Sequence, residues 1–263
     1  MIEQRWLLFL LGWAVVALLQ GALYLRQRAT RDAALVDAGW AFSLAVLAVL
    51  YAVLAPGGLE HRVLIATLAS VESIRVGWLV LGRLGKGEDK RYAELRERWR
   101  ARGREQESFA VFFQAQALVA AILSVPFLLA SYNKHDGLEP LEWAGAALWL
   151  VAFGGEWVAD RQLAGFKANP ENRGRTLRGG LWRYSRHPNY FFQWLTWVAY
   201  ALIALPAPYG WLGLTAPVLM LLSILFVTGI PPSEAQALRS RGDDYRRYQR
   251  ETSAFVPRPT RRS

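Results

Sequence analysis

The residues best suited to chemistry stand together in the string LWRYSRHPNYFFQW, residues 181–194. His187, Asn189 and Tyr190 carry polar groups that need specific hydrogen-bond partners. Pro188 fixes the backbone among them and suits the first turn of a helix. An apolar run follows, so these polar groups lie at the mouth of a hydrophobic segment. This arrangement predicts a binding site at a membrane surface.

The loop that leads to this string is rich in basic residues and glycines. Arginine forks suit phosphate oxygens, and glycines let the backbone approach a ligand closely. The loop has no Walker lysine pattern and no GxGxxG after a strand, which excludes a P-loop or Rossmann site. A polybasic loop beside anionic lipid would explain the charge alone. Together with the string at 181–194, the loop predicts a binding site for a large anionic ligand that arrives from the cytosol. The residues concerned are Lys167, Arg173, Gly174, Arg175, Arg178, Gly179, Gly180, Arg183 and Arg186.

Ionisable residues also interrupt the apolar runs, where a charge is costly unless it faces a cavity or a partner. Glu72 and Arg75 are three residues apart, so they share a helix face and can form an ion pair. Glu156 and Asp160 are four residues apart and share a face in the same way. A structural ion pair would explain Glu72 and Arg75 alone. One polar pocket open to the cytoplasm would explain these residues together with Asp37.

The elements that must position these groups are membrane-spanning helices. The chain has 263 residues, of which 53% are hydrophobic, and its lack of Cys excludes disulfides and thiolate metal sites. Runs of about 17 to 25 apolar residues are long enough to cross a bilayer. Seven such runs lie near 6–25, 34–55, 63–82, 109–130, 141–160, 190–206 and 211–230. The pattern predicts an all-α, multi-pass membrane protein with seven spans in a single domain, 1–263, and no cleaved signal peptide.

The positive charges predict the orientation. With the N-terminus outside and the C-terminus cytoplasmic, 27 of the 31 Lys and Arg residues fall on inner segments, as the positive-inside rule requires. The net charge of +10 is therefore divided between apolar runs, which excludes a continuous nucleic-acid-binding face. The inner segment 83–108 predicts a short mixed-charge helix that faces solvent or lipid headgroups.

The segment 156–193 resembles the C-terminal half of the membrane steroid 5-alpha-reductases and the bacterial membrane proteins grouped with them. The wider superfamily also contains sterol reductases and isoprenylcysteine carboxyl methyltransferase. The motifs that carry the resemblance are DRQL, FKANPENRGR, GGLWRYSRHPNY and, in the C-terminal tail, DDYRRYQRETSAFVP. They follow one another in the order expected for the family.

The resemblance implies an NADPH site in a cofactor-binding half, residues 109–263. Lys167 and Arg175 would meet phosphates, and Asp160 would lie near other polar groups of the cofactor. His187 matches the methyltransferase-like branch, and Glu234 falls where the steroid enzymes have a polar cofactor contact. The full set of predicted cofactor-binding residues is Glu156, Asp160, Lys167, Arg175, Arg178, Tyr184, His187, Asn189, Tyr190 and Glu234.

The resemblance also implies a substrate-side half, residues 1–108. In the steroid enzymes a Glu on helix 2 and a Tyr on helix 3 polarise the 3-keto group of the substrate. Asp37 stands opposite that Glu, Glu72 stands opposite that Tyr, and Arg75 is retained, so these three form the predicted catalytic set. A Glu in place of the Tyr can donate a hydrogen bond only while it is protonated.

The function expected from this resemblance is an NADPH-dependent oxidoreductase of steroid or lipid metabolism that saturates the double bond of an apolar enone, such as a 3-oxo-Δ4 steroid. An S-adenosylmethionine-dependent methyltransferase and a lipid-binding protein without chemistry are the alternatives. The expected partners are the apolar substrate and membrane lipid, with no metal and no nucleic acid, and the sequence identifies no protein partner. The Arg- and Ala-rich composition favours a bacterial inner membrane, with the cofactor site facing the cytoplasm.

Overall fold

A computed structural model of the chain describes residues 1–82 and 90–260, and within these ranges the regular structure is helical, without strands. The all-α prediction is therefore confirmed for the part of the chain that is described. The ten α-helices in these ranges are α1 (Arg5–Thr30), α2 (Leu35–Leu54), α3 (Leu59–Leu81), α4 (Lys90–Arg100), α5 (Glu105–Leu123), α6 (Val125–Ala130), α7 (Pro140–Ala168), α8 (Pro188–Ala204), α9 (Thr215–Leu222) and α10 (Ile230–Glu251).

Short turns of other helix types join the later elements. Three are 3₁₀ turns, at Pro170–Asn172, Gly180–Arg183 and Gly210–Leu214. The fourth is a π-helical turn at Ser223–Val227, between α9 and α10.

Five stretches are long and apolar enough to cross a membrane, consistent with an integral membrane protein. They are Arg5–Thr30, Leu35–Leu54, Leu59–Leu81, Glu105–Ala130 and Gly210–Glu251. Helices also lie at the fifth and sixth predicted spans, but α8 has only 17 residues and α7 carries Glu142 and Glu156 in its apolar part. Seven spans and their orientation therefore stay predictions.

The last of these stretches is apolar only in its first part. It has 42 residues, about twice what a bilayer needs. The apolar sequence ends at the π-helical turn and Gly229, and α10 then carries charges along its length. Pro231 and Pro232 fit the first turn of α10, where a missing N–H costs nothing. We therefore place α10 outside the membrane span.

The chain forms two compact units. The first unit contains residues 1–142 and 203–213, and the second unit contains residues 143–202 and 214–263. The predicted division into a substrate-side half and a cofactor-binding half is functional and stays a prediction.

Helices α1, α2, α3 and α5 pack together in the first unit, with α2 in contact with the other three. Glycines allow the closest approaches. A Cβ on Gly12 of α1 would lie 2.8 Å from the Leu47 side chain of α2, and one on Gly77 of α3 would lie 2.6 Å from the Phe42 ring. Asp32 accepts a hydrogen bond from the Ala34 backbone at 2.9 Å, which shapes the turn into α2.

The predicted helix in 83–108 is confirmed as α4, although residues 83–89 lie outside the described ranges. Helix α4 is fixed to the start of α5 by charge-assisted bonds. Arg96, which is buried, donates to Glu105 at 2.7 Å, and Arg100 donates to the other carboxylate oxygen at 2.9 Å. Tyr92 of α4 packs in an apolar cluster with Phe109 and Phe113 of α5. One face of this helix is therefore buried rather than solvated.

Candidate functional site

The string RHPNY, residues 186–190, forms a turn into α8 in the second unit, and we call it the RHPNY turn. Its Arg186 points into the protein. The guanidinium donates to the Glu234 carboxylate at 2.6 Å, to the Thr252 carbonyl at 2.6 Å and to the Gln249 carbonyl at 3.1 Å. Three anionic or carbonyl acceptors around one guanidinium fix the turn against α10 and the tail that follows it.

Glu234 is the acceptor at the centre of this cluster. Besides Arg186, it accepts hydrogen bonds from Gln249 at 2.8 Å, from Tyr245 at 3.3 Å and from His187 Nε2 at 3.3 Å. Burial alone would raise the pKa of Glu234, but the hydrogen bonds from His187 and Arg186 lower it from 4.5 to about 2. The carboxylate is therefore ionised at neutral pH, and both of its oxygens bind groups of the chain itself.

The residues just before the turn are held by the same C-terminal elements. The Ser185 hydroxyl donates to the Phe255 carbonyl at 2.7 Å and accepts from the His187 backbone N–H at 3.1 Å. The buried Tyr248 hydroxyl donates to the carbonyls of Trp182 and Ser185. These contacts satisfy backbone groups that would otherwise be buried without partners.

The last residues of the turn contact α7 and α10. The rings of His187 and Tyr190 stack with centroids 5.4 Å apart, and the Tyr190 hydroxyl lies 3.0 Å from the Ser233 hydroxyl. Asn189 donates from its amide to Asp160 of α7 at 3.2 Å. The structure therefore brings together five of the predicted cofactor-binding residues, namely Asp160, His187, Asn189, Tyr190 and Glu234. Glu156, one turn before Asp160 in α7, is buried.

The basic residues of the preceding loop fall into two groups. Arg178 is occupied by the chain itself, since it donates to Asp244 at 2.8 Å and to Glu251 at 3.2 Å. Arg173, Arg175 and Arg183 are exposed and form no salt bridge with any residue of the described ranges. These three side chains are available to an external anion, and Lys167 and Tyr184 are exposed near them in the sequence.

Two glycines give the loop its shape. Gly174 and Gly180 have positive φ angles of 75° and 60°, which favour glycine over residues with a side chain. At Gly180 a Cβ would collide with the side chain of Gln162, whose oxygen accepts the Leu181 backbone N–H at 2.9 Å. At Gly174 a Cβ would meet no atom within 4 Å, so the backbone beside Arg173 and Arg175 is open.

The first unit contains a separate acidic site on α2. Asp37 accepts a hydrogen bond from the Tyr92 hydroxyl of α4 at 2.6 Å and another from Arg91 at 3.2 Å. The Tyr92 ring is buried, whereas the side chain of Arg91 is largely exposed. A phenol, a carboxylate and a guanidinium therefore meet at the start of α2.

Glu72 and Arg75 of α3 form the ion pair that their spacing allows. Arg75 donates to both oxygens of the Glu72 carboxylate, at 2.9 and 3.2 Å. Glu72 is buried, and both of its carboxylate oxygens accept from Arg75. The pair makes Glu72 an acceptor rather than a donor.

Tyr92 and Arg91 were missed by sequence reasoning. The mixed charge of 83–108 favoured a solvated helix, and nothing in the order of the residues shows that Tyr92 returns to Asp37, 55 positions earlier. A signal was present in the apolar face of α4, where Tyr92, Leu95 and Trp99 follow at helical spacing.

The family of the chain is shown by its sequence. A family model described as "Protein of unknown function (DUF1295)" matches residues 23–252. The chain belongs to the DUF1295 family. This family is related to steroid 5-alpha-reductase-like membrane proteins, so the resemblance predicted from the four motifs is confirmed at that level. No curated protein and no solved structure shows a significant match to the chain.

The DUF1295 match includes both sites, since Asp37, Tyr92 and the RHPNY turn all lie within it. Among the described residues of this DUF1295 protein, no group of three or more His, Asp or Glu side chains is arranged to hold a metal ion. The roles of individual residues stay predictions.

Proposed function

We propose that this DUF1295 protein is an integral-membrane, NADPH-dependent reductase that saturates the double bond of an apolar enone, of which a 3-oxo-Δ4 steroid is the prototype. The proposal places the cofactor site on the cytoplasmic face of a bacterial inner membrane. The observation that supports it most strongly is the hydrogen bond from Tyr92 to Asp37, because it holds a phenolic donor ready beside an acid.

The residues of the second unit fit a dinucleotide phosphate. Arg173, Arg175 and Arg183 are exposed and carry no salt bridge to the described residues, and Gly174 leaves the backbone open between the first two. Guanidinium groups in such a setting bind phosphate oxygens well. Asp160 and Asn189 offer an acceptor and an amide for hydroxyl or carboxamide groups. When bound, NADPH would supply a hydride to the β-carbon of the enone.

The Tyr92 hydroxyl can donate its hydrogen bond to the carbonyl oxygen of the substrate instead of to Asp37. As the hydride adds at the β-carbon, the electrons of the double bond move through the carbonyl, and negative charge develops on its oxygen. Tyr92 can turn its hydrogen bond from Asp37 to that oxygen, while Asp37 remains paired with Arg91. A proton from water then adds at the α-carbon and completes the saturation. Donors aimed at a developing oxyanion are among the largest contributors to catalysis.

In this scheme the Glu72–Arg75 pair has a positioning role. Both oxygens of the Glu72 carboxylate accept hydrogen bonds from Arg75, so they are engaged within α3. We therefore assign the donor role to Tyr92 and assign to Glu72 the task of orienting Arg75 on α3.

The test of the substrate site is a Tyr92→Phe variant assayed for enone-dependent NADPH oxidation. We expect kcat to fall about 100-fold, because one oxyanion donor is lost, with the Kd for NADPH unchanged. Tyr24→Phe is the matched control, since Tyr24 packs in the same apolar cluster as Tyr92. Wild-type turnover in Tyr92→Phe would remove Tyr92 from the mechanism.

The test of the cofactor site is Arg175→Ala, compared with Arg239→Ala on the exposed surface of α10. Arg175→Ala should weaken NADPH binding about tenfold, the size expected for one lost charge-assisted contact, and should leave the affinity for an apolar enone unchanged. Equal NADPH affinity in the two variants would exclude Arg175 from the cofactor site.

A further inference from the structure

Two titratable residues outside the proposed substrate and cofactor sites, His61 and Glu142, are fully buried in the first unit. His61 lies in the first turn of α3, and Glu142 lies in the first turn of α7. The Nδ1 atom of His61 and the Oε1 atom of Glu142 are 2.6 Å apart, a short hydrogen bond even for charged groups. Buried groups of this kind are costly unless their polar atoms are paired, so each of their hydrogen bonds matters.

The other ring nitrogen of His61 also faces an acceptor. Its Nε2 atom lies 2.9 Å from the backbone carbonyl of His135, and a carbonyl can only accept, so Nε2 carries a proton. A neutral imidazole has a single N–H, so in the neutral ring Nδ1 would present a lone pair to the Glu142 carboxylate. Two lone pairs 2.6 Å apart repel each other. A second proton must therefore lie between Nδ1 and Oε1.

The second oxygen of Glu142 binds the backbone at the start of α7. Its Oε2 atom accepts the Glu139 N–H at 2.9 Å, and the Glu139 carbonyl accepts the Glu142 N–H at 3.0 Å. This is the capping-box arrangement, in which a Glu or Gln at the third helical position bonds back to the residue before the helix. Glu142 therefore holds the first turn of α7 with one oxygen and His61 of α3 with the other.

The groups around the pair do not replace the shared proton. Glu60 is a further carboxylate, 3.9 Å from His61 Nε2, and favours a positive ring. The Asn133 amide is 3.5 Å from Nδ1, too far for a strong bond, and Arg62 donates to a backbone carbonyl of α2. The other titratable side chains nearby belong to the segment before α7, and they are Glu139, which accepts from Asn133, and the exposed His135 and Asp136.

The pair lies at the end of the first unit that also holds the N-terminus. The Ile2 N–H donates to the Leu54 carbonyl of α2 at 2.7 Å, and the Tyr132 hydroxyl donates to the Ile2 carbonyl at 2.6 Å. Two backbone hydrogen bonds join residues 57–58 to residues 131–133 beside it. With the predicted orientation of the chain, this end faces the outer compartment.

We propose that His61 and Glu142 form a proton-binding site that fastens the first turn of α7 to α3 and releases it when the outer compartment becomes alkaline. The closed site holds two protons, one on Nε2 and one between Nδ1 and Oε1. Once the pair opens to water above about pH 6.5, the histidine keeps one proton and the glutamate none. Opening therefore releases one proton, and above that pH its equilibrium constant rises about tenfold per pH unit until the closed site loses its own proton.

The direct test is the protonation of the His61 ring in the full-length protein, labelled with ¹⁵N-histidine and studied by NMR in detergent micelles. The chain has three histidines, and His61→Gln assigns the His61 signals by their loss. At about pH 7.5, one unit above the midpoint of an ordinary histidine, we expect both ring nitrogens of His61 to carry protons. An unprotonated ring nitrogen at this pH would overturn the proposal.

Glu142→Gln is the informative variant, because it can satisfy a neutral ring. Its amide nitrogen can donate to an unprotonated Nδ1, while its oxygen still accepts the Glu139 N–H as a capping box allows. We therefore expect Nδ1 of His61 to lose its proton in this variant. His135→Gln removes an exposed histidine of the same end and is the matched control, which should leave the His61 signals unchanged. A doubly protonated His61 in Glu142→Gln would show that Glu142 does not share the proton.

The release is tested by hydrogen exchange of the backbone amides of residues 135–142 in lipid nanodiscs, without NADPH. Chemical exchange accelerates equally with pH in both proteins, so the ratio of the wild-type rate to the Glu142→Gln rate isolates the opening. We expect this ratio to rise about tenfold per pH unit above about pH 6.5. A ratio independent of pH would contradict the release. Neither outcome depends on reductase activity.

Discussion

The RHPNY turn and two buried glutamines of α1, Gln20 and Gln27, are both polar features, yet they differ in how the protein satisfies them. At the turn, Arg186 and Glu234 are surrounded by partners from α10 and the tail. By contrast, the side-chain amides of Gln20 and Gln27 have no hydrogen-bond partner in the described part of the chain. Polar groups of the first kind stabilise the fold, whereas buried amides without a partner cost stability.

The contrast also divides the basic residues of the loop before the turn. In the sequence, Arg178 and Arg186 cannot be told apart from Arg175 and Arg183. In the structure, Arg178 and Arg186 form ion pairs with carboxylates of the chain. The exposed arginines can gain most from an external phosphate, because they have no ion pair with the described residues to break. The comparison therefore predicts which substitutions should affect stability and which should affect binding.

The largest effect on stability should come from Arg186→Met. This change removes the pair with Glu234 and leaves the carbonyls of Gln249 and Thr252 without their donor. Breaking a largely buried ion pair costs about 3 kcal/mol or more, measured as the free energy of unfolding of the second unit in denaturant. Arg183→Met, three residues earlier and exposed, is the control and should change it by less than about 0.5 kcal/mol. Equal effects of the two variants would break the comparison.

The second effect should be a dependence of the free energy of unfolding on pH, to which Glu234 contributes. Because the pKa of Glu234 is lowered from 4.5 to about 2 in the fold, its contribution is fully present above 4.5 and is lost as the pH falls toward 2. Between pH 4.5 and pH 2, the free energy of unfolding of the wild-type protein should fall more steeply than that of Glu234→Gln. Parallel pH curves would show that the carboxylate is not held by the turn.

A smaller loss is expected for Tyr248→Phe. The variant keeps the ring and removes the hydroxyl that donates to the Trp182 and Ser185 carbonyls, which should cost about 1.5 kcal/mol of unfolding free energy. Tyr184→Phe, in an exposed ring, serves as the control. No difference between the two variants would mean that the hydroxyl contributes nothing to holding the turn.

The smallest effect should have the opposite sign. In the absence of ligand, Gln20→Met removes a buried amide that the protein does not satisfy, so we expect the first unit to become more stable by about 1 kcal/mol. The same change at the exposed Gln114 should have almost no effect. A clear loss of stability in Gln20→Met would show that the amide supports the fold, and the contrast between the buried glutamines and the turn would then fail.

The sequence predicted the features that depend on local pattern. Helices lie at all seven predicted apolar runs, and α4 lies in the predicted mixed-charge segment. The family resemblance grouped Asp160, Asn189 and Glu234 as cofactor-binding residues. Hydrogen bonds bring each of them to the RHPNY turn, and their cofactor role stays a prediction.

The features that depend on tertiary contact were not predicted. The position of Arg186 in the sequence, among other arginines, gave no sign that its side chain faces inward. A positive charge alone does not show which carboxylate lies nearby in the fold. Gln20 lies within the first predicted apolar run, where one amide hardly changes the mean hydropathy, and Gln27 lies just after that run, between Arg26 and Arg28. The pairing of Tyr92 with Asp37 required knowing how α4 folds back onto α2.

The central claim is that NADPH is the cofactor, and the most direct test is thermal unfolding of the detergent-purified protein with NADPH, NADH, S-adenosylmethionine or no addition. A ligand that binds the folded state raises the melting temperature, and at 100 times its Kd it adds about 2.7 kcal/mol. We expect NADPH to give the largest rise and Arg175→Ala to reduce it. A rise with S-adenosylmethionine alone would contradict the reductase and indicate methyl transfer.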